Sequence, residues 1–130
     1  MKVLVLDDDE DLSSALRQIL VTLNLDVDCT TSAPDAIEKL ADKHYDVVLV
    51  DYVMPQHDGI WFMKNAKLPR STKVLLMTGH IERKIINAMF ELGVCGYIIK
   101  PFDEEELLHN INFFLPGRIN DCTGNRPCAP

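Results

Sequence analysis

Apolar and polar positions follow two rhythms along this chain, and the rhythms alternate. Residues 2–6, KVLVL, form a short continuous apolar run, the signature of a buried strand. Leu12, Leu16, Ile19, Leu20 and Leu23 then recur at helical spacing. A weaker strand pattern, VDCT, occupies 27–30. It is followed by Ser32-x-x-Asp35, a capping-box variant, with Pro34 suited to a first helical turn. Ala36, Ile37, Leu40 and Ala41 give that helix an apolar face. Residues 46–50, DVVLV, are the clearest buried strand. A turn-rich loop at 54–59 leads into a helix over 60–66, and KVLLM at 73–77 is a fourth strand. Ile81, Ile85, Ala88, Met89 and Leu92 line one face of a helix that Gly93 should end. YIIK at 97–100 is a fifth strand. Asp103 caps a last helix carrying Leu107, Leu108, Ile111, Phe114 and Leu115. The acids at 103–106 suit the positive end of its dipole.

Strands alternating with helices predict an α/β fold: a parallel sheet with helices on both faces and right-handed crossovers. The strands should be buried on both sides. Residues 117–130 have no periodicity and read as a flexible tail or a cut linker. At 130 residues the chain has the length of one domain.

Composition narrows the function classes. The chain is 47% hydrophobic and carries a net charge of −7, with nine acids concentrated in residues 7–11 and 103–106. That balance argues against direct nucleic-acid binding. No apolar run approaches the ~20 residues that span a membrane, and four apolar residues after Met1-Lys2 are too few for a secretion signal. Cys29, Cys95, Cys122 and Cys128 form no C-x-x-C pair. The expectation is a cytoplasmic chain with free thiols, in which Cys29 and Cys95 are small, partly buried side chains. Trp61, Phe62, Met63, Met89 and Phe90 read as packing residues, and His57 as an exposed loop residue.

The chemistry lies at the carboxyl ends of the strands, where open parallel sheets bind ligands. The first strand runs into Asp7, Asp8 and Asp9, the third into Asp51, the fourth into Thr78 and the fifth into Lys100. Clustered carboxylates favour a hard divalent cation among them, and few carboxylates completed by water suit Mg²⁺. A carboxylate can also attack phosphorus. Two other readings fit poorly. An EF-hand beginning at Asp7 would place Leu12 where Gly is needed. A phosphatase of the haloacid-dehalogenase type would place Asp11 where its motif takes Thr or Val. Asp9, Glu10 and Asp11 are best explained as charges favouring a helix start.

Four segments in order, VLVLDDDED, DVVLVDYVMPQHDG, VLLMTGH and GYIIKPF, resemble the receiver domain of two-component response regulators over residues 1–116. The resemblance implies a flavodoxin-like (βα)5 fold with strand order 2-1-3-4-5. It implies that Asp51 is the phosphoacceptor, and that Asp7 and Asp8 hold Mg²⁺ together with Asp51 and the Val53 carbonyl. Asp8 would be the more direct ligand of the acidic pair. Thr78 would turn toward the phosphoryl group, Lys100 would pair with the acids, and Tyr97 would be the aromatic switch residue. A cis Lys100–Pro101 bond is also implied, a form found in only ~5% of X–Pro bonds. The implied partners are a sensor histidine kinase and a downstream effector or C-terminal output domain. A phosphorylation-dependent dimer through the fourth helix, fifth strand and fifth helix is a further expectation. Val53 and His80 occupy the positions that flank the hydrolytic water in receiver domains. Val53 cannot orient water, so the phosphorylated form is expected to be long-lived.

Overall fold

A computed structural model describes residues 1–79 and 82–114, apart from the side chain of Phe114. Five strands and five helices alternate. They are β1 (Lys2–Leu6), α1 (Glu10–Val21), β2 (Asp26–Thr30), α2 (Ala33–Asp42), β3 (Val47–Asp51), α3 (Gly59–Asn65), β4 (Lys73–Thr78), α4 (Arg83–Glu91), β5 (Gly96–Ile99) and α5 (Glu104–Phe114). All neighbouring strands pair in parallel, in the order β2-β1-β3-β4-β5. This is the flavodoxin-like order that the resemblance implied.

The continuous apolar strands are buried on both faces, as a sheet covered on two sides requires. On one face Val3, Val5, Val47, Leu49, Leu75 and Met77 pack against Leu16 and Leu20 of α1 and Leu107 and Ile111 of α5. On the other, Leu4, Leu6, Val48, Val50 and Leu76 meet Ala36 of α2, Phe62 of α3 and Met89 of α4. Burying each Leu or Val stabilises the fold by ~1.5–3 kcal/mol. The strands are therefore held firmly, and their carboxyl ends come to a common edge.

Local chemistry sets the helix starts. Asp9, Ser32 and Asp58 each accept a backbone N–H from three residues ahead, capping α1, α2 and α3. Asp103 and Glu106 form a reciprocal box at α5: the Glu106 N–H donates to Asp103 Oδ1 at 2.8 Å, and the Asp103 N–H to Glu106 Oε1 at 3.2 Å. Gly93, at φ +115°, follows α4 in a conformation that suits glycine.

Several expectations change in detail. β3 extends through Asp51 rather than stopping at residue 50, because Asp51 stays in register with Met77 of β4. β5 ends at Ile99, so Lys100 follows the strand. Phe90 is 39% exposed rather than packed in the core: it lies at the surface against Tyr97 of the edge strand β5. His57 is half-buried, stacked on Trp61 with ring centroids 3.9 Å apart. Cys29 and Cys95 are free and partly buried, as expected. Among the described residues no helix is long and apolar enough to cross a membrane. Ile81, His80, Leu115, the segment 117–130 and its Cys122 and Cys128 lie outside the described residues.

Candidate functional site

The site forms where β1, β3, β4 and β5 end. Asp7 leaves β1 fully buried and is held on three sides. Its backbone N–H donates to the Thr30 carbonyl at 3.1 Å. Its Oδ1 accepts the Asp9 N–H at 2.9 Å, and its Oδ2 accepts from Lys100 Nζ at 2.9 Å. Asp51, the last residue of β3, is 5% exposed, and its Oδ1 lies 3.2 Å from Lys100 Nζ. Asp8 is exposed at the rim. Asp7, Asp8 and Asp51 each offer a carboxylate oxygen within 4.8 Å of the others.

Lys100 reaches the acids from the opposite side. Its backbone N–H donates to the Thr78 carbonyl at 2.8 Å, which ties the end of β5 to β4. The Lys100–Pro101 bond is cis, as the resemblance implied. Thr78 closes β4 and is buried. Val53 is 53% exposed in the loop after β3. Tyr97, on β5, is 41% exposed and meets the ring of Phe90 edge-on at 6.1 Å.

The electrostatics follow from this crowding. Burial, then repulsion from Asp7, push the Asp51 carboxyl up to about 6 against the opposing pull of Lys100. Burial alone would lower the Lys100 ammonium. Its hydrogen bond to Asp7 and its attraction to Asp51 and Asp7 outweigh that, and hold it above its ordinary value. With all three acids ionised, a single ammonium leaves an excess of negative charge. A divalent cation meets that excess, and an all-oxygen donor set suits a hard ion. The residues present therefore fit Mg²⁺.

The sequence of this chain matches the model of the response regulator receiver domain over residues 3–112. The chain belongs to that family. It is thus a receiver domain of response regulators, a switch of two-component signalling. It is 28% identical over 114 residues to the response regulator ArlR of Staphylococcus aureus, covering 88% of this chain and 52% of that protein. The chain so spans about half the length of the curated relatives it matches. Among solved structures it is similar to the chemotaxis protein CheY4 of Vibrio cholerae, with 25% identity and a TM-score of 0.82 over 88% of this chain and 98% of that one. It is equally similar to a CheY-like receiver domain from Methanospirillum hungatei, with 25% identity and a TM-score of 0.82 over 86% and 90% of the two chains. Receiver domains bind Mg²⁺ at an acidic pocket, and this chain gathers Asp7, Asp8 and Asp51 into an acidic cluster at the strand ends.

The receiver fold brings Asp7, Asp8, Asp51 and Lys100 together and sets Thr78 at the end of the neighbouring strand. Tyr97 and Val53 stand on exposed surface. Sequence reasoning missed two supports. The Asp9 N–H fixes Asp7 Oδ1, so the helix cap also orients the first acid. Gly59 sits where a Cβ would come within 3.3 Å of the Asp51 carbonyl oxygen and 3.2 Å of Tyr52 Cα and Met89 Cε. The Asp58-Gly59 pair in the loop was the available signal for that close approach.

Proposed function

We propose that the receiver domain of residues 1–116 takes a phosphoryl group from a sensor histidine kinase onto Asp51 in a Mg²⁺-dependent reaction. The observation that carries this reading is the placement of Lys100 Nζ 2.9 Å from Asp7 and 3.2 Å from Asp51, opposite three convergent carboxylates. A buried carboxylate with one fixed cation has the balance that phosphoryl transfer needs, which is position and charge neutralisation.

An Asp51 carboxylate oxygen forms the new O–P bond as the N–P bond of a phosphohistidine breaks, and the departing imidazole nitrogen takes a proton. Asp51 must be ionised to attack, and a carboxyl held at about 6 is mostly ionised at neutral pH. Asp7, Asp8, Asp51 and the Val53 carbonyl would hold Mg²⁺, which when bound neutralises charge on the phosphoryl oxygens. Lys100 orients Asp51 and gives a transferred oxygen a second cationic contact. Thr78 supplies a hydroxyl to the phosphoryl group. Its inward turn leaves room for Tyr97, which is partly exposed beside Phe90. The surface of α4, β5 and α5 changes with it. Moving such a switch from 1:99 to 99:1 takes ~5.5 kcal/mol of differential stabilisation. The altered surface then addresses an effector protein, a second copy or a C-terminal output domain.

Incubation with acetyl phosphate, followed by intact mass measurement, tests the reading. Wild type should gain one phosphoryl group with Mg²⁺ and none with EDTA, and Asp51→Asn should gain none. Equal labelling of Asp51→Asn would overturn the assignment.

A further inference from the structure

Two exposed aromatic side chains meet where α4 passes the edge strand. Tyr97 of β5 is 41% exposed and Phe90 of α4 is 39% exposed. Their ring centroids lie 6.1 Å apart at an interplanar angle of 82°. In this edge-to-face arrangement the positive rim of one ring meets the negative face of the other, which adds attraction beyond the apolar area covered. Neither ring belongs to the two buried cores, so the contact is separate from the packing that holds the fold.

The topology gives this contact a direction. β4 ends at Thr78, on the edge that carries the acids, and α4 returns the chain to the amino end of the parallel strand β5. Phe90 is the last but one residue of α4, so it stands toward that amino end. In the register of the two strands Tyr97 is level with Leu76, and Ile99 with Thr78. Thr78 therefore lies two residues, roughly 7 Å, nearer the carboxyl edge than Tyr97. Side chains alternate along each strand, so Leu76, Thr78 and Tyr97 share one face of the sheet. Phe90 and Thr78 stand on opposite sides of Tyr97 along the strand direction. A ring held against Phe90 is held away from Thr78.

Resting on the switch proposed above, we infer that Phe90 is a positioning residue that holds Tyr97 outward until Asp51 is phosphorylated. Movement of Tyr97 toward Thr78 separates the two rings, and that loss opposes the switch. A ring pair of this geometry changes an equilibrium roughly two- to tenfold. Phe90 thus sets how fully the surface of α4 and β5 responds to phosphorylation, and not whether Asp51 accepts the group. A ligand that needs the inward state binds more tightly by the factor in which that state is enriched.

Beryllofluoride, which with Mg²⁺ takes the place of a phosphoryl group on a carboxylate, is the probe. It is titrated into protein labelled with 3-fluorotyrosine. The chain has three tyrosines, and the ¹⁹F signal lost in Tyr97→Phe identifies Tyr97. Phe90→Ala should bind beryllofluoride roughly two- to tenfold more tightly than wild type. Its Tyr97 signal before titration should already lie closer to the bound position. Phe90 is exposed, so the variant should fold as wild type does. Phe90→Tyr, which keeps the ring, should behave as wild type. In a Tyr97→Ala background Phe90→Ala should leave the affinity unchanged, which a general loosening of α4 would not do. There the signal of Tyr52, next to Asp51 in the chain, reports binding. Equal affinity of wild type and Phe90→Ala, a Phe90→Tyr protein that behaves as Phe90→Ala does, or the same gain in the Tyr97→Ala background would each overturn this inference alone. No binding of beryllofluoride to wild type would overturn the reading of Asp51, and this inference with it.

Discussion

Replacing Asp51 by Asn should stabilise the metal-free protein, and should do so only above about pH 4. The Asp51 carboxyl moves from 3.8 when unfolded to about 6 when folded, driven by burial and by Asp7. That difference of about two units corresponds to ~3 kcal/mol. The side chain is only 8% exposed, so solvent screens the effect little. Near pH 4 the folded carboxyl is protonated and the unfolded one roughly half ionised, so the penalty is still small, and it vanishes below about pH 3. As pH rises toward 6, the folded protein keeps a proton that the unfolded chain has lost, so stability falls. Above that the carboxylate is ionised in both states and the full penalty is present. Asn does not titrate. Urea unfolding in EDTA, followed by Trp61 fluorescence, should therefore show Asp51→Asn close to wild type near pH 4. At pH 7 it should be more stable by ~3 kcal/mol, or roughly 10 °C in melting temperature. Mg²⁺ at a hundredfold excess over its dissociation constant should restore ~2.7 kcal/mol to wild type. A stability difference that is the same at pH 4 and pH 7, or of opposite sign at pH 7, would refute the argument from burial and repulsion.

Other outcomes follow from the same geometry. Lys100→Met should destabilise the apo protein at pH 7 by about 1–3 kcal/mol, since the partly exposed ammonium is the cation that Asp7 and Asp51 share; an unchanged urea midpoint would contradict that pairing. Val53→Asn should shorten the lifetime of the phosphorylated protein, because an amide in the exposed loop can orient water and valine cannot. Decay measured by mass spectrometry that is no faster than wild type would sink that view. Leu49→Ala should cost about 2–5 kcal/mol in urea unfolding, because Leu49 is fully buried in the central strand and its loss leaves a cavity.

The elements that the sequence made legible are those with strong periodicity or a defined cap. The run 46–50 could only be a doubly buried strand, and Ser32-x-x-Asp35 placed the start of α2 at the residue observed. Boundaries shifted where pairing rather than composition decides them. Asp51 belongs to β3 because Met77 lies opposite it, which no local pattern encodes. Strand order needed the family resemblance, since alternation alone fixes parallel pairing but not which strands are neighbours. The acids of the site were visible because four strand ends carry unusual chemistry. Their supports were not. The Asp9 N–H on Asp7 is a backbone contact, and the space denied to a Cβ at Gly59 depends on how α4 packs. Phe90 misled because an apolar residue on an amphipathic helix need not face the core.

The central claim is that Asp51 itself carries the phosphoryl group. Borohydride reduces an acyl phosphate to an alcohol, so it would convert a phosphorylated Asp51 to homoserine, which peptide sequencing by mass spectrometry locates. After acetyl phosphate and Mg²⁺, homoserine should be found at position 51, and omitting Mg²⁺ should abolish it. Homoserine at position 7 or 8 in place of 51, or none at any of the three despite a phosphoryl mass on the intact protein, would contradict the account.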